Sequence, residues 1–288
     1  MQKILIPFNW IIDHTFGYLY QALCWLLNLI LPDSFTLVIT RYQDLFYQGI
    51  KYTLGISLMG TIIGFLIACV LGTLRSIKVN NTDSLIVKII KKVVDYIIRI
   101  YVTVFRGTPM MVQAMIIYFG TDVIFNWSKI ESFSFFTGAF WCGLFVITIN
   151  TGAYMTEIVR SGLNGVDKGQ LEAAKALGFS YSRSMTYVII PQAIRNSLPT
   201  ILNELVVNIK DSSVLNVIGV TELYLSVSIA TNKNYFIVEG YIIIAIIYLL
   251  LTLIASYVTK LISRKLDGKK VFKLSLFKHY KPKLIEEE

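Results

Sequence analysis

Glu204, Asn208 and Asp211 are polar side chains within an otherwise hydrophobic stretch, at positions i, i+4 and i+7. This spacing places the three side chains on one face of a helix. Because ionisable groups are costly inside a membrane, they tend to face a cavity or a charged partner there. The face therefore either lines a path for a polar solute at a subunit interface or holds helices together, through Lys210 with Asp211 or Glu204 with Arg195.

Residue patterns for catalysis or metal binding do not accompany this face. Cys24, Cys69 and Cys142 are isolated in apolar surroundings, which indicates neither a disulfide framework nor a zinc site. His14 and His279 are far apart, so they predict no metal site. The G-x-x-x-x-G-K-[ST] pattern is absent, so the chain has no P-loop for ATP. We therefore expect no catalytic, metal or cofactor site in this chain.

The composition indicates a membrane protein. Of the 288 residues, 55% are hydrophobic and only 16% are charged, whereas a soluble domain carries about a quarter charged residues. Apolar runs of about 20 residues recur, and this length crosses a bilayer as a helix. We predict an all-α polytopic membrane protein with five core transmembrane helices. The predicted spans are residues 46–74, 109–125, 135–158, 194–218 and 238–262.

Three parts follow from the placement of these runs. Residues 1–45 form an N-terminal extension whose apolar stretch 16–31 is either an interfacial helix or a short extra span. Residues 46–262 form the transmembrane domain, and residues 263–288 form a basic tail. In the first span, Gly60 and Gly64 form a G-x-x-x-G pattern, which we interpret as close helix packing within the chain.

Lysine and arginine placement predicts the orientation. Residues 75–92 and 157–195 hold five basic residues each, and the tail from Lys260 holds nine. The intervening segments 120–136 and 218–237 hold one each. Because basic residues concentrate in cytoplasmic loops, we expect segment 157–195 and the C-terminus to be cytoplasmic.

A break is predicted between an amphipathic helix and the second span. Residues 85–105 alternate charged and apolar side chains at three- and four-residue steps, which is typical of a helix lying on the membrane surface. In the following run, Gly107 is expected to end this helix, Thr108 to cap the next one and Pro109 to occupy its first position. Arg106 either contacts lipid phosphates or braces the break.

The segment 161–191 predicts a compact helix-turn-helix unit between spans. Asp167 can cap the first helix, and Gln170 can reach back to complete a capping box. Gly178 is placed to end that helix in a left-handed conformation. Ser180 can cap the second helix, which Pro191 breaks or kinks.

This segment resembles the signature loop of permease subunits of bacterial ABC importers. The resemblance is carried by the run Glu172, Ala173, Ala174, then Gly178, and then residues 188–191, which end at Pro191. It implies that the loop docks into a groove on a cytoplasmic ATP-binding subunit, where Glu172 meets a basic group. The run FRGTP at residues 105–109 closely resembles that of polar amino acid permeases in the same family.

The resemblance also implies an assembly in a bacterial cell membrane. It contains a second permease subunit, identical or different, a cytoplasmic ABC ATPase dimer that binds ATP and Mg, and an extracellular substrate-binding protein for the amino acid. Two other functions remain open. The chain could act as an ion-coupled carrier or channel without an ATPase. Alternatively, segment 161–191 could be the helix-turn-helix of a membrane-tethered DNA-binding regulator, although its second helix carries only one basic residue, Arg183.

Overall fold

The computed structural model describes residues 38–77, 83–129, 137–232 and 236–266. These residues form helices and no strand. The long helices are α1 (Gln43–Ser76), α2 (Leu85–Gly107), α3 (Met110–Phe125), α4 (Gly138–Asn164), α7 (Ile190–Asp211) and α9 (Ile237–Leu266). The shorter ones are α5 (Lys168–Ala176), α6 (Tyr181–Ser184) and α8 (Leu223–Asn232). This arrangement confirms the all-α fold class.

Length and composition qualify some of these helices as membrane spans. Among the described residues, α1, α4 and α9 are long and apolar enough to cross a membrane alone. The helical stretch Tyr181–Ile218 followed by Leu223–Ile229, bent by 50°, makes a fourth if the pair is one span. The predicted second span corresponds to α3, which has only 16 residues and is about 24 Å long at 1.5 Å per residue, short of a hydrocarbon core of about 30 Å. The count of five core helices therefore stays a prediction.

The boundaries of two predicted spans shift. The third was expected at 135–158, but α4 begins at Gly138 and continues to Asn164, beyond the predicted end. The fourth was expected at 194–218, but its helical structure already begins at Tyr181. In both cases the helix extends into polar sequence, because backbone hydrogen bonding continues where hydropathy no longer marks the span.

The first span packs closely against α4. A Cβ atom on Gly64 would lie 3.2 Å from the backbone nitrogen of Gly152, and one on Gly60 would collide with the side chain of Ile147. Only glycine allows this approach between the two helices. The interpretation of the G-x-x-x-G pattern as packing within the chain is therefore confirmed.

A hydrophobic core begins ahead of α1. Val38 and Ile39 are buried together with Phe46 and Ile50 of α1 and with residues of α8 and α9. The described structure thus starts within the predicted extension 1–45. The apolar stretch 16–31 and most of the predicted tail 263–288 lie outside the described residues.

The amphipathic helix α2 turns its apolar side outward. Ile86 and Ile97 have 70% and 59% of their surface exposed, whereas Ile98 and Val102 are buried. The Asp95 carboxylate instead faces Arg75 at the end of α1. The apolar outer face of α2 is suited to lipid contact.

The break after α2 differs in detail from the prediction. The helix ends at Gly107, as predicted, but Thr108 does not cap the following helix with its side chain. Its backbone is extended, with φ −121° and ψ 146°, and its hydroxyl donates to the carbonyl oxygen of Val104 at 2.8 Å. Pro109 stands just before α3 rather than in its first position. The reason is where the helix starts. Pro109 is the N-cap residue, and its carbonyl oxygen accepts from the backbone nitrogen of Gln113 at 3.1 Å, so Thr108 lies one residue outside the capping position.

Candidate functional site

The first helix of segment 161–191 is capped as predicted at its start. Asp167 Oδ1 accepts a hydrogen bond from the backbone nitrogen of Gly169 at 2.7 Å. The Gln170 side chain does not complete a capping box, since its Oε1 accepts from Gln192 Nε2 at 3.3 Å. Gln170 thus connects α5 to α7.

The end of α5 confirms the left-handed conformation predicted at Gly178. Its φ is +81°, a region that side chains with a Cβ atom rarely adopt. Gly178 donates to the carbonyl oxygen of Lys175 at 2.9 Å, and Phe179 donates to that of Ala174 at 3.1 Å. These two hydrogen bonds form the Schellman motif that ends many helices and fixes the direction of the turn.

The second helix continues into a membrane span. Ser180 caps α6 through a 3.4 Å hydrogen bond from the backbone nitrogen of Arg183. A π-helical turn, Met185–Ile189, then joins α6 to α7, and Pro191 lies in the first turn of α7. The wide turn absorbs the backbone change that proline demands, so Pro191 does not end the helix. This continuity argues against a DNA-recognition helix, which must enter a groove freely.

The outer surface of this unit combines exposed charged side chains with exposed apolar ones. Glu172 and Ala173 are exposed, whereas Ala174 is only 4% exposed and packs inward. Leu177 and Phe179, on either side of Gly178, are 79% and 39% exposed. Glu172 forms no ion pair with any described residue. An exposed carboxylate beside exposed apolar groups suits a protein interface.

A second site is a cavity of about 380 Å³ that lies between the predicted polar face of α7 and the predicted break after α2. The polar face of α7 forms one wall, and the break after α2 forms another. Asn150 and Tyr154 of α4 complete the lining. The lining residues are Thr108, Pro109, Met110, Asn150, Tyr154, Glu204, Val207, Asn208 and Asp211.

Within this cavity, Asn208 serves packing. It is 4% exposed, and its Nδ2 donates to Thr61 Oγ1 at 2.8 Å while its Oδ1 accepts from Thr151 Oγ1 at 3.1 Å. The side chain thus joins α7 to α1 and α4. A buried amide whose donor and acceptor are both satisfied stabilises the helix bundle.

The two acidic residues behave differently from Asn208. Glu204 is half-buried and Asp211 is exposed toward the cavity. Neither forms an ion pair with a described residue, so the predicted Lys210–Asp211 and Glu204–Arg195 pairs do not occur in this conformation. The charges of Asp211 and Arg106 act on the Glu204 carboxylate. The cavity therefore presents two carboxylates without a paired cation.

The break itself is braced by two side chains that sequence analysis did not identify. Gln113 Nε2 lies within hydrogen-bond distance of the carbonyl oxygens of Phe105 at 3.0 Å and Thr108 at 2.9 Å. Asn150 Nδ2 donates to Gln113 Oε1 at 3.0 Å and lies 3.2 Å from the Phe105 carbonyl oxygen. Carbonyl groups freed where α2 ends are thereby satisfied. In the sequence, Gln113 and Asn150 are marked only as single amide side chains within apolar runs.

Arg106 lies at the rim of the break. Its guanidinium carbon is 5.3 Å from the centre of the Tyr154 ring, a cation–π arrangement. Since the side chain is exposed and Gln113 and Asn150 brace the backbone, the bracing role proposed for Arg106 is taken by other residues. The guanidinium instead places a positive charge beside the cavity.

Glu222 is a further acidic residue that sequence analysis did not single out. It is fully buried and accepts hydrogen bonds from the backbone nitrogens of Tyr224 and Leu225, each at 2.9 Å, in the first turn of α8. The Tyr248 hydroxyl donates to the same carboxylate at 2.6 Å. Glu222 thus caps α8 and connects it to α9.

Comparison with known proteins identifies the family. Residues 84–268 match the family model described as "Binding-protein-dependent transport system inner membrane component". The chain is 35% identical to the arginine transport system permease protein ArtQ of Bacillus subtilis over 77% of its own length and 92% of the relative's. It is 32% identical to the glutamine transport system permease protein GlnP of Escherichia coli K12, over 77% and 93%.

Solved structures agree with this comparison. An amino acid ABC transporter crystallised with histidines superposes with a TM-score of 0.66 at 34% identity, covering 80% of this chain and 97% of that one. The MetNI methionine ABC transporter in an inward-facing form superposes with a TM-score of 0.61 over 78% and 97%, and at 18% identity it shows the fold alone. The chain belongs to the family of inner membrane components of binding-protein-dependent transport systems and is a multi-pass membrane permease subunit of that family.

Proposed function

We propose that this permease subunit imports polar amino acids and is driven by a separate ATPase that docks on segment 161–191. The observation that carries the proposal is the cavity in which Glu204 and Asp211 face the break after α2. Relatives named for arginine and glutamine transport support the substrate class.

The cavity suits a solute that carries both signs of charge. Glu204 and Asp211 can bind an ammonium group, because neither forms an ion pair with a described cation. Arg106, held over the Tyr154 ring, can attract a carboxylate at the rim. A free amino acid presents these two groups together. An uncharged solute would leave both carboxylates unpaired, which is costly away from bulk water.

Energy for transport is expected from a partner chain. ATP and Mg bind to a cytoplasmic ABC ATPase dimer, and this chain supplies the docking surface rather than a catalytic group. Glu172 offers a carboxylate to a basic group on the ATPase, and Leu177 and Phe179 offer apolar contact. A second permease subunit, identical or different, closes the path, and an extracellular substrate-binding protein delivers the amino acid.

Reconstitution in proteoliposomes tests this function. The chain, its ATPase and its binding protein are combined, and uptake of radiolabelled amino acids is measured with ATP inside the vesicles. We expect uptake that requires all three components and ATP. Uptake by the chain alone, driven by an ion gradient, would instead support a carrier that needs no ATPase.

Thiol labelling tests the orientation. Single cysteines replace Ser76, Ser132, Asn232 or Lys269 in a background without the native cysteines. Because of the basic-residue asymmetry, an impermeant reagent should label positions 132 and 232 in intact cells and positions 76 and 269 only after lysis. Labelling of position 269 in intact cells would reverse the assignment.

A further inference from the structure

Five charged side chains form an alternating chain across α1, α2 and α4. Arg99 Nε lies 2.8 Å from Asp95 Oδ2, and Asp95 Oδ1 lies 3.6 Å from Arg75 Nε. Arg75 Nη1 donates to Glu157 Oε1, and Arg160 Nε lies 2.8 Å from Glu157 Oε2. Arg75 of α1 is therefore held between a carboxylate of α2 and one of α4.

The centre of this charge chain is shielded from solvent. The side chains of Arg75 and Glu157 are only 11% and 19% exposed, whereas that of Arg99 at the outer end is 63% exposed. Exposed ion pairs contribute little to stability because water screens them. Shielding strengthens the pair at the centre, so the contact between Arg75 and Glu157 should hold α1 to α4 most firmly. Asp95 joins α2 to this pair through Arg75.

Two neutral contacts extend the same seam toward the cavity. The Tyr101 hydroxyl of α2 donates to the carbonyl oxygen of Ile149 in α4 at 2.5 Å. That hydroxyl lies 2.9 Å from where a Cβ atom on Gly152 would be, so a larger residue there would displace it. Asn150 then approaches the Phe105 carbonyl oxygen at the end of α2. The seam between α2 and α4 is thus held directly at Tyr101 and at Phe105, and through Arg75 of α1 at Asp95.

The seam connects the two functional regions of the molecule. Arg160 immediately precedes segment 161–191, while Asn150 and Tyr154 line the cavity. Seven residues separate Asn150 from Glu157, about 10 Å along the helix at 1.5 Å per residue. A rigid α4 therefore carries the docking segment at its C-terminal end and a cavity wall near its middle.

We propose that Arg75, Asp95 and Glu157 are positioning residues that make α2 move with α4, so that displacement of segment 161–191 reaches the break that lines the cavity. This inference rests on the proposed ATP-driven function. Without the charge chain, α4 would transmit the displacement to Tyr154 and Asn150, but Thr108 and Pro109 on the α2 side of the cavity would lag behind. ATP hydrolysis would then continue with less transport.

The test measures amino acid uptake per ATP hydrolysed in the reconstituted complex. Glu157→Gln keeps the side-chain size, Arg75→Gln shortens the side chain, and each removes one charge. We expect uptake per ATP to fall about tenfold in both, with basal hydrolysis and complex yield unchanged. Arg75→Lys keeps the charge and should restore part of the loss. The matched control Arg99→Gln should stay within about twofold of wild type, because its ion pair is exposed.

A wild-type ratio of uptake to hydrolysis in the assembled Glu157→Gln complex would overturn the proposal. This includes the case in which uptake falls only in proportion to complex yield, as a purely structural role predicts. If Glu157→Gln fails to assemble, Tyr101→Phe decides the question, since it removes one neutral hydrogen bond and should lower the ratio about threefold. A wild-type ratio of uptake to hydrolysis in Tyr101→Phe would then contradict the proposal that the contacts between α2 and α4 carry the displacement.

A second readout does not depend on transport. Amide hydrogen exchange of α2 is measured in the purified full-length chain. Glu157→Gln should speed exchange in α2 by about tenfold if the charge chain holds that helix against α4, and Arg99→Gln should not. Unchanged exchange would refute the seam even if the complex transports. The two proposals can fail separately. If the wild-type complex shows no ATP-driven uptake but Glu157→Gln speeds exchange in α2 as expected, the proposed function is refuted and the mechanical connection between α2 and α4 is retained.

Discussion

Segment 161–191 and the cavity are held in shape by contacts of different range. The turn at Gly178 depends on hydrogen bonds between residues three and five apart in sequence. The cavity brings together Thr108 from the break after α2, Asn150 from α4 and Glu204 from α7. Local contacts keep their geometry when the rest of the molecule moves, which suits a part that carries force. Contacts between helices change when helices move, which suits a path that must open and close.

This difference predicts separable defects. A change in the segment should leave the helix bundle intact and disturb only its contact with the ATPase. A substitution in the cavity should lower the stability of the helix bundle if the side chain packs between helices. It should change solute transport if the side chain faces the cavity. The following variants are ordered from the largest expected effect to the smallest.

Asn208→Ala should destabilise the bundle most. It leaves the hydroxyl of Thr151 without its partner and removes the acceptor and donor that join α7 to α1 and α4. We expect a loss of about 2–3 kcal/mol, since buried polar groups are left unsatisfied. Thermal unfolding of the purified chain measures it. Asn203→Ala, an exposed amide on the same helix, is the control, and an equal effect there would show that Asn208 has no special packing role.

Gly178→Val should abolish the stimulation of ATP hydrolysis by loaded binding protein while the chain still inserts. A β-branched residue at φ +81° strains the turn by about 1–3 kcal/mol and changes the direction of the exposed Leu177 and Phe179. Hydrolysis is measured in proteoliposomes. Gly120→Val is the matched control, since a Cβ atom there meets open space. Normal stimulation of ATP hydrolysis in Gly178→Val would show that coupling does not depend on the geometry of this turn.

Glu204→Gln should alter uptake and leave stability and ATPase binding unchanged. The substitution keeps the size of a half-buried side chain and removes one of the two cavity charges. A loss of one charged contact to the solute should raise the KM by about tenfold. Asp44→Asn, at an exposed carboxylate outside the cavity, should not. Wild-type kinetics in Glu204→Gln would assign this residue to packing or to no role.

Sequence patterns predicted the local parts of this structure better than the tertiary parts. The caps at Asp167 and Ser180 and the turn at Gly178 are confirmed, because each depends on a few adjacent residues. The prediction that Thr108 caps the helix was wrong, because Pro109 stands at the N-cap position and α3 begins one residue later than expected. The Pro191 kink became a π-helical turn. Such adjustments depend on packing that neighbouring residues do not reveal.

The cavity could be predicted only in part. The polar face of α7 was visible from its spacing, but the different roles of Asn208 and Glu204 depend on which helix each side chain meets. Gln113 and Asn150 were not identified, because a single amide in an apolar run has no distinctive spacing. The charge chain through Arg75 and Glu157 joins residues 82 apart, and no local pattern indicates such a pair.

The most direct test of the central claim is co-purification of the ATPase with the Glu172→Lys chain. This substitution reverses the charge of the exposed carboxylate that segment 161–191 offers to the ATPase, and Glu172 does not line the cavity. If Glu172 meets a basic group, the complex should weaken by about 2–5 kcal/mol, while the chain inserts and its binding protein still captures substrate. We predict loss of the ATPase from Glu172→Lys and its retention by wild type. Wild-type complex yield and wild-type stimulation of hydrolysis in Glu172→Lys would contradict the docking role of segment 161–191.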